Sequence, residues 1–117
     1  MIAAVLVFST QAAVVSESVR YQVDGQEFKG YLAFDDSQAS PLPGVLVVHE
    51  WWGLNDYTRR RADMLAELGY MAFAVDMYGD GKEASHPSKA GEFAKASLAS
   101  LPLAERRFNA AREQLAR

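Results

Sequence analysis

The chain has 117 residues, half of them apolar and 23 % charged, and carries a formal net charge of −3. That composition suits one small globular domain or part of a larger one, and the acidic balance excludes the basic face that a nucleic-acid partner would need. There is no cysteine, which excludes a disulfide framework, a thiolate nucleophile and a cysteine-based zinc site within these residues.

The chain opens on "MIAAVLVFSTQAAV", an apolar run followed by small and polar residues. It resembles the h-region and cleavage region of a secretory signal peptide, with Thr10 and Ala12 at the −3 and −1 positions but without a positively charged n-region. Residues 1–13 are expected to be a signal remnant and 14–117 the domain, which makes the protein periplasmic or secreted. Read instead as an apolar first strand, the same segment leaves it cytoplasmic. No apolar run reaches the about 18 to 20 residues needed to span a bilayer, so no membrane partner is expected.

"SVRYQVDGQEFKGYLAF" alternates: Val19, Tyr21 and Val23 oppose Arg20 and Gln22, and Phe28, Gly30 and Leu32 oppose Lys29, Tyr31 and Ala33. Asp24-Gly25 between the two runs is a strong hairpin signal, so residues 18–34 are expected to form an antiparallel hairpin. A loop rich in Asp, Ser and Pro fills 35–44. Val45 to Val48 is a continuous apolar run, as in a strand covered on both faces.

Residues 56–68 have helical spacing, with Ala62, Leu65 and Leu68 on one face, Asn55 or Asp56 as cap and Gly69 as stop. Arg59, Arg60 and Arg61 fan around that helix and read as a solvated face with one or two local ion pairs. Met71 to Val75 is a second buried strand with Asp76 at its exit. A helix follows over 87–100, opened by Pro87, and another opens near Pro102 with Leu103, Phe108, Ala111 and Leu115 inward.

A hairpin followed by strand, helix, strand and two helices predicts a mixed α/β sheet with a parallel pair and a right-handed crossover. Two parallel strands leave a bare edge, so a further strand is expected after Arg117, and the sequence reads as the first half of a domain.

In such sheets ligands bind beyond the carboxyl ends of the strands. "HEWWGLN" (49–55) and "DMYG" (76–79) both lie there, so two aromatic-rich loops are expected to share one rim. Glu50, between His49 and Trp51, would be partly desolvated; alternatively it caps the following helix or pairs with an arginine. Asp76 is expected to tether its own loop through backbone N–H groups. His49, Glu50, Asp76 and Asp80 are the candidate metal ligands, but their spacing matches no metal motif, and neither metal nor cofactor is expected. A dinucleotide site would need a glycine-rich loop that "HEWWGLN" does not supply.

"VLVVHEWWGLNDYTRRRADMLAELGYMAFAVDMYGDGK" resembles the dienelactone hydrolase family of α/β-hydrolases: an apolar strand, H-E-x-W-G-L-N, an R-x-x-A-D-x-L-A-x-x-G-Y helix, then A-x-D-M-Y-G-x-G. The hairpin resembles that family's N-terminal strands, and the likeness spans residues 18–117. It implies the N-terminal portion of an α/β-hydrolase fold and cleavage of a small-molecule ester or lactone through a covalent acyl-enzyme. Glu50 would be the glutamate that activates the nucleophile and shifts when substrate binds. Trp51 would lend its backbone N–H to the oxyanion hole. Trp52 and Tyr78 would line the substrate pocket, and Asn55 would fix the loop to its helix.

The departures are as informative. The family's G-x-C-x-G-G elbow is absent, and so is G-x-S-x-G. Neither His49 nor His86 occupies the late position of the triad histidine, since the chain order in this fold is nucleophile, acid, histidine. The triad is expected beyond this chain, the nucleophile being cysteine or serine, and the 117 residues alone are expected to be inactive. A small ligand-binding or interaction module on the same half-fold is the alternative. Oligomeric state is left open.

Overall fold

The computed structural model describes residues 4–5, 13–39 and 41–116. Apart from Ala4, Val5 and Ala13, the signal-like segment lies outside the described residues. The expected mixed α/β sheet is present, with four strands in the order β1-β2-β4-β3. β1 (Val14–Val23) and β2 (Gln26–Asp35) form the antiparallel hairpin, in register from Val23 opposite Gln26 to Val14 opposite Asp35. Asp24 and Gly25 both take positive φ, 52° and 78°, the two-residue turn whose twist matches the strands it joins. β1 starts four residues earlier than its alternation suggests, because Val15, Ser16, Glu17 and Ser18 are exposed on an outer strand and show no inward face.

β3 (Gly44–Val48) runs parallel to β4 (Met71–Val75), and β4 runs antiparallel to β2 through Tyr31–Ala33 and Ala72–Ala74. β4, between two strands, sorts its side chains by period 2 onto two cores. Phe73 and Val75 join Tyr21, Val23, Phe28 and Ala111 on the face covered by α3 (Leu101–Leu115). Ala72 and Ala74 join Ala33, Leu54, Ala62 and Ala66 on the face covered by α1 (Asp56–Glu67). Gly30 makes room for the first of these cores: a Cβ there would lie 2.4 Å from Phe73 Cζ.

β3 meets both cores, Leu46 the first and Val47 the second, as its continuous apolar run predicts, although Val48 at its end is exposed. Two expectations about burial need correcting. On α1 the inward positions are Thr58, Ala62 and Ala66, with Leu65 beside them, while Leu68 is 75 % exposed. Small residues let the helix lie close to the alanine face of β4. On α3 the buried residues are Ala111, as expected, and Arg107, while Phe108 is exposed. The Arg107 guanidinium lies over the Phe28 ring at 5.0 Å and donates to the Met77 carbonyl at 2.8 Å, which an apolar residue could not do. α2 (Pro87–Ser97) opens on Pro87 as expected and ends three residues early.

Candidate active site

β3 and β4 run in parallel, so their carboxyl ends deliver the 49–55 and 76–86 loops to the same rim. Asp76 organises the second loop. Its carboxylate is buried, and Oδ1 accepts the N–H groups of Tyr78 (3.2 Å) and Gly79 (2.9 Å). Oδ2 accepts those of Lys29 (3.0 Å) and Gly81 (2.9 Å). The expected loop tether is therefore also a bolt into β2.

The first loop is a turn in which the Gly53 N–H donates to the Glu50 carbonyl at 3.1 Å, with Trp51 and Trp52 at the central positions. Its far side is sewn to the second loop: Ala84 N–H donates to the Trp52 carbonyl at 2.9 Å, and the Tyr78 hydroxyl donates to the Trp51 carbonyl at 2.7 Å. A β-turn uses the N–H of its last residue only, so the Trp51 N–H is left over, and it meets no acceptor among the described residues. The two indoles lie 5.4 Å apart, tilted by 58°.

His49 has a role the sequence did not disclose. Its Nε2 accepts the Met77 N–H at 3.1 Å, so Nδ1 carries the proton and donates to the Glu50 carbonyl at 2.7 Å. The ring joins the two loops and sits edge-on to Tyr78 at 4.6 Å. Burial lowers its pKa below the ordinary histidine value, against the opposing pull of the Glu50 carbonyl and Asp76. The unfolded chain therefore takes up a proton first, near pH of about 6.5. Stability is full above that pH and declines as pH falls from there through the folded-state value. The urea midpoint is expected to drop between about pH 7 and pH 5, and His49→Gln should remove the histidine's share of the drop. An unchanged pH slope in the variant would show that His49 is not the group responsible.

Glu50 itself is exposed, not wedged between aromatic shelves, because its side chain leaves the turn on the solvent side. Neither alternative role is filled: the helix is capped by Asn55, and no ion pair among the described residues includes Glu50. Glu50 and Trp51 instead border an open cavity of ≈ 290 Å³, lined also by Met77 and Tyr78 and by Ala94 of α2 and its C-cap Leu98.

Trp52 does not share this cavity; it borders a separate depression with Asn55 and Glu83. Asn55 Oδ1 accepts from Thr58 N–H (3.2 Å) and Oγ1 (3.3 Å), so it fixes the loop to α1 and its acceptor is already used. Tyr78 borders the cavity, but its hydroxyl is spent on the Trp51 carbonyl and its pKa is raised by burial, so it holds the Trp51 backbone in place.

The arginine run behaves as expected, with Arg59 paired to Asp56 at 2.6 Å and Arg61 lying over Tyr57. The candidate metal ligands are not brought together: His49 and Asp76 have their polar atoms engaged by backbone, and no group of three or more His, Asp or Glu is placed to hold a metal among the described residues. The α2 wall escaped sequence reasoning; the small residues on the inner side of "KAGEFAKAS" were its only signal.

A mixed sheet with helices on both faces and two strand-end loops meeting at a glutamate and a free backbone N–H is the N-terminal portion of an α/β-hydrolase fold. The dienelactone hydrolase family profile matches residues 28–117, and the chain belongs to that family. A protein of Aquifex aeolicus provisionally named carboxymethylenebutenolidase is 36 % identical over 81 residues, which cover 67 % of this chain and 33 % of that protein. The solved structure of m3DLH superposes with a TM-score of 0.83 at 33 % identity, over 89 % of this chain and 43 % of that one. A dienelactone hydrolase-like promiscuous phosphotriesterase from metagenomic libraries gives 0.82 at 31 % identity over the same shares. The chain thus spans about a third of the curated relative and 43 % of the solved chains.

Proposed function

We propose that this chain supplies one side of the active site of an ester or lactone hydrolase that works through a covalent acyl-enzyme. Glu50 activates the nucleophile and Trp51 N–H is one oxyanion-hole donor. The observation that carries the reading is the pair at the cavity mouth: a carboxylate with no ion-pair partner among the described residues beside a turn N–H with no acceptor. Other exposed glutamates of the chain also lack an ion-pair partner among the described residues; what supports a role for this one is its place at the β3 exit, bordering the cavity beside the Trp51 turn.

One preorganised oxyanion donor is worth about 10²–10³ in rate where such donors have been removed in other enzymes. His49 and Tyr78 hold that donor from either side, through the Glu50 and Trp51 carbonyls. The nucleophile, base and orienting acid would come from residues outside these 117, since the sequence holds neither cysteine nor G-x-S-x-G.

The donor role has a direct readout. On titration with phenyl butyrate, the Trp51 backbone amide proton is expected to move downfield saturably in ¹⁵N-resolved spectra, as an N–H that begins donating to an ester carbonyl does. Shifts confined to other amides would refute the assignment of Trp51.

A further inference from the structure

The Glu50 carbonyl and the Trp51 N–H belong to one peptide unit, which is planar and trans, so they point in opposite directions. Whatever fixes the oxygen therefore aims the hydrogen. Two donors fix it: the Gly53 N–H at 3.1 Å, from within the turn, and His49 Nδ1 at 2.7 Å, from outside it.

His49 can donate there only as the Nδ1–H tautomer, and that tautomer is selected by what the other ring nitrogen meets. Nε2 faces the Met77 N–H at 3.1 Å, a group that can only donate. Met77 is held in turn through its carbonyl, which accepts from Arg107 Nη1 at 2.8 Å. That carbonyl shares a peptide unit with the Tyr78 N–H, which donates to Asp76 Oδ1 at 3.2 Å. A cation from α3 and the anion at the β4 exit thus clamp one peptide from both ends. Arg107 is 9 % exposed, and burying a guanidinium costs free energy that a methionine filling the same space would not. The hydrogen bond to Met77 is what that methionine would lack.

We propose that Arg107 is a positioning residue for the turn that carries the oxyanion donor: through the Met77 main chain it keeps His49 in the Nδ1–H tautomer, and His49 aims the Trp51 N–H. This rests on the hydrolase reading only for what that N–H meets, and the test separates the two. Wild type, Arg107→Met, Arg107→Lys and Ala111→Gly are compared in the full 117-residue chain. Imidazole ¹⁵N spectra at about pH 8, where His49 is neutral, report the tautomer. The Trp51 amide proton, titrated with phenyl butyrate, reports the donor.

Wild type is expected to show Nδ1–H alone, which tests the link to Met77 without any substitution. Arg107→Met should bring in the Nε2–H tautomer and weaken phenyl butyrate binding about fivefold, the scale of one hydrogen bond. Arg107→Lys keeps a donor and should lie nearer wild type. Ala111→Gly, one turn further along α3 in the same core, loosens the helix without touching Met77 and should leave the tautomer alone whatever stability it loses. A mixed tautomer in wild type, no change in Arg107→Met, or the same change in Ala111→Gly would each overturn the relay. A tautomer that responds as expected beside a Trp51 amide that ignores phenyl butyrate even in wild type would uphold the relay and reject the hydrolase reading. A responsive amide with an indifferent tautomer would do the reverse.

Discussion

Asp76→Ala is expected to unfold the chain or come close to it. The wild-type carboxylate accepts four backbone N–H groups, from Lys29, Tyr78, Gly79 and Gly81, in a site closed to solvent. Each donor left unpaired costs about 1–3 kcal/mol, less where water can follow into the space. A total loss of about 4 kcal/mol approaches the lower end of the about 5–15 kcal/mol that holds a domain together. The damage is not confined to one loop, because the Lys29 bond is the bolt between the β4 exit and the hairpin. Asp76→Asn keeps one carbonyl oxygen but turns an NH₂ toward two of the donors, so it should fall between wild type and alanine. Urea unfolding followed at 222 nm gives the comparison. A midpoint for Asp76→Ala close to wild type would mean that the four bonds contribute little.

Gly53→Ala carries the second large effect, and it strikes the site more than the fold. Gly53 sits at φ 95°, in the left-handed region where a side chain is strained, and its Cβ would lie 2.4 Å from the Lys82 carbonyl oxygen. Backbone strain of about 1–3 kcal/mol adds to a steric penalty of similar size. The contact is with main chain that is itself paired, Gly53 bridging to Glu83 and Trp52 to Ala84, so neither side yields easily. The expected outcome is a turn that swings away, carrying the Trp51 N–H off the cavity. Far-UV circular dichroism should stay near wild type while tryptophan emission shifts and the phenyl butyrate response of the Trp51 amide disappears. Wild-type behaviour in both readouts would mean that the turn tolerates a Cβ after all.

Much of this was legible because it depends on local chemistry. Asp24-Gly25 dictates a hairpin, Asn55 can cap only the helix that follows it, and an aspartate at a strand exit bonds the amides it reaches. Even the separation into two cores follows from period 2 along β4 once its neighbours are known.

What failed was the assumption that larger apolar residues turn inward. Ala66 is buried and Leu68 is not, because α1 approaches a sheet face built of alanines. Arg107 is buried and Phe108 is not, because the Met77 carbonyl needs a donor and Phe28 offers a ring face. At the site, adjacent tryptophans gave no sign that they border different cavities; the twist of a four-residue turn decides that. The sequence offers His49 only as a metal ligand or a triad histidine, since its actual partners, the Glu50 carbonyl and the Met77 amide, are backbone groups that no sequence pattern marks.

The central claim is that Glu50 and the Trp51 N–H stand ready for a nucleophile that these 117 residues do not contain. The most direct measurement is hydrolysis of p-nitrophenyl butyrate by the purified chain over a range of substrate concentrations. Release of p-nitrophenolate is expected to match the buffer blank and to show no saturation. Saturable turnover that is lost in Glu50→Gln would contradict the claim and locate a nucleophile within the chain itself.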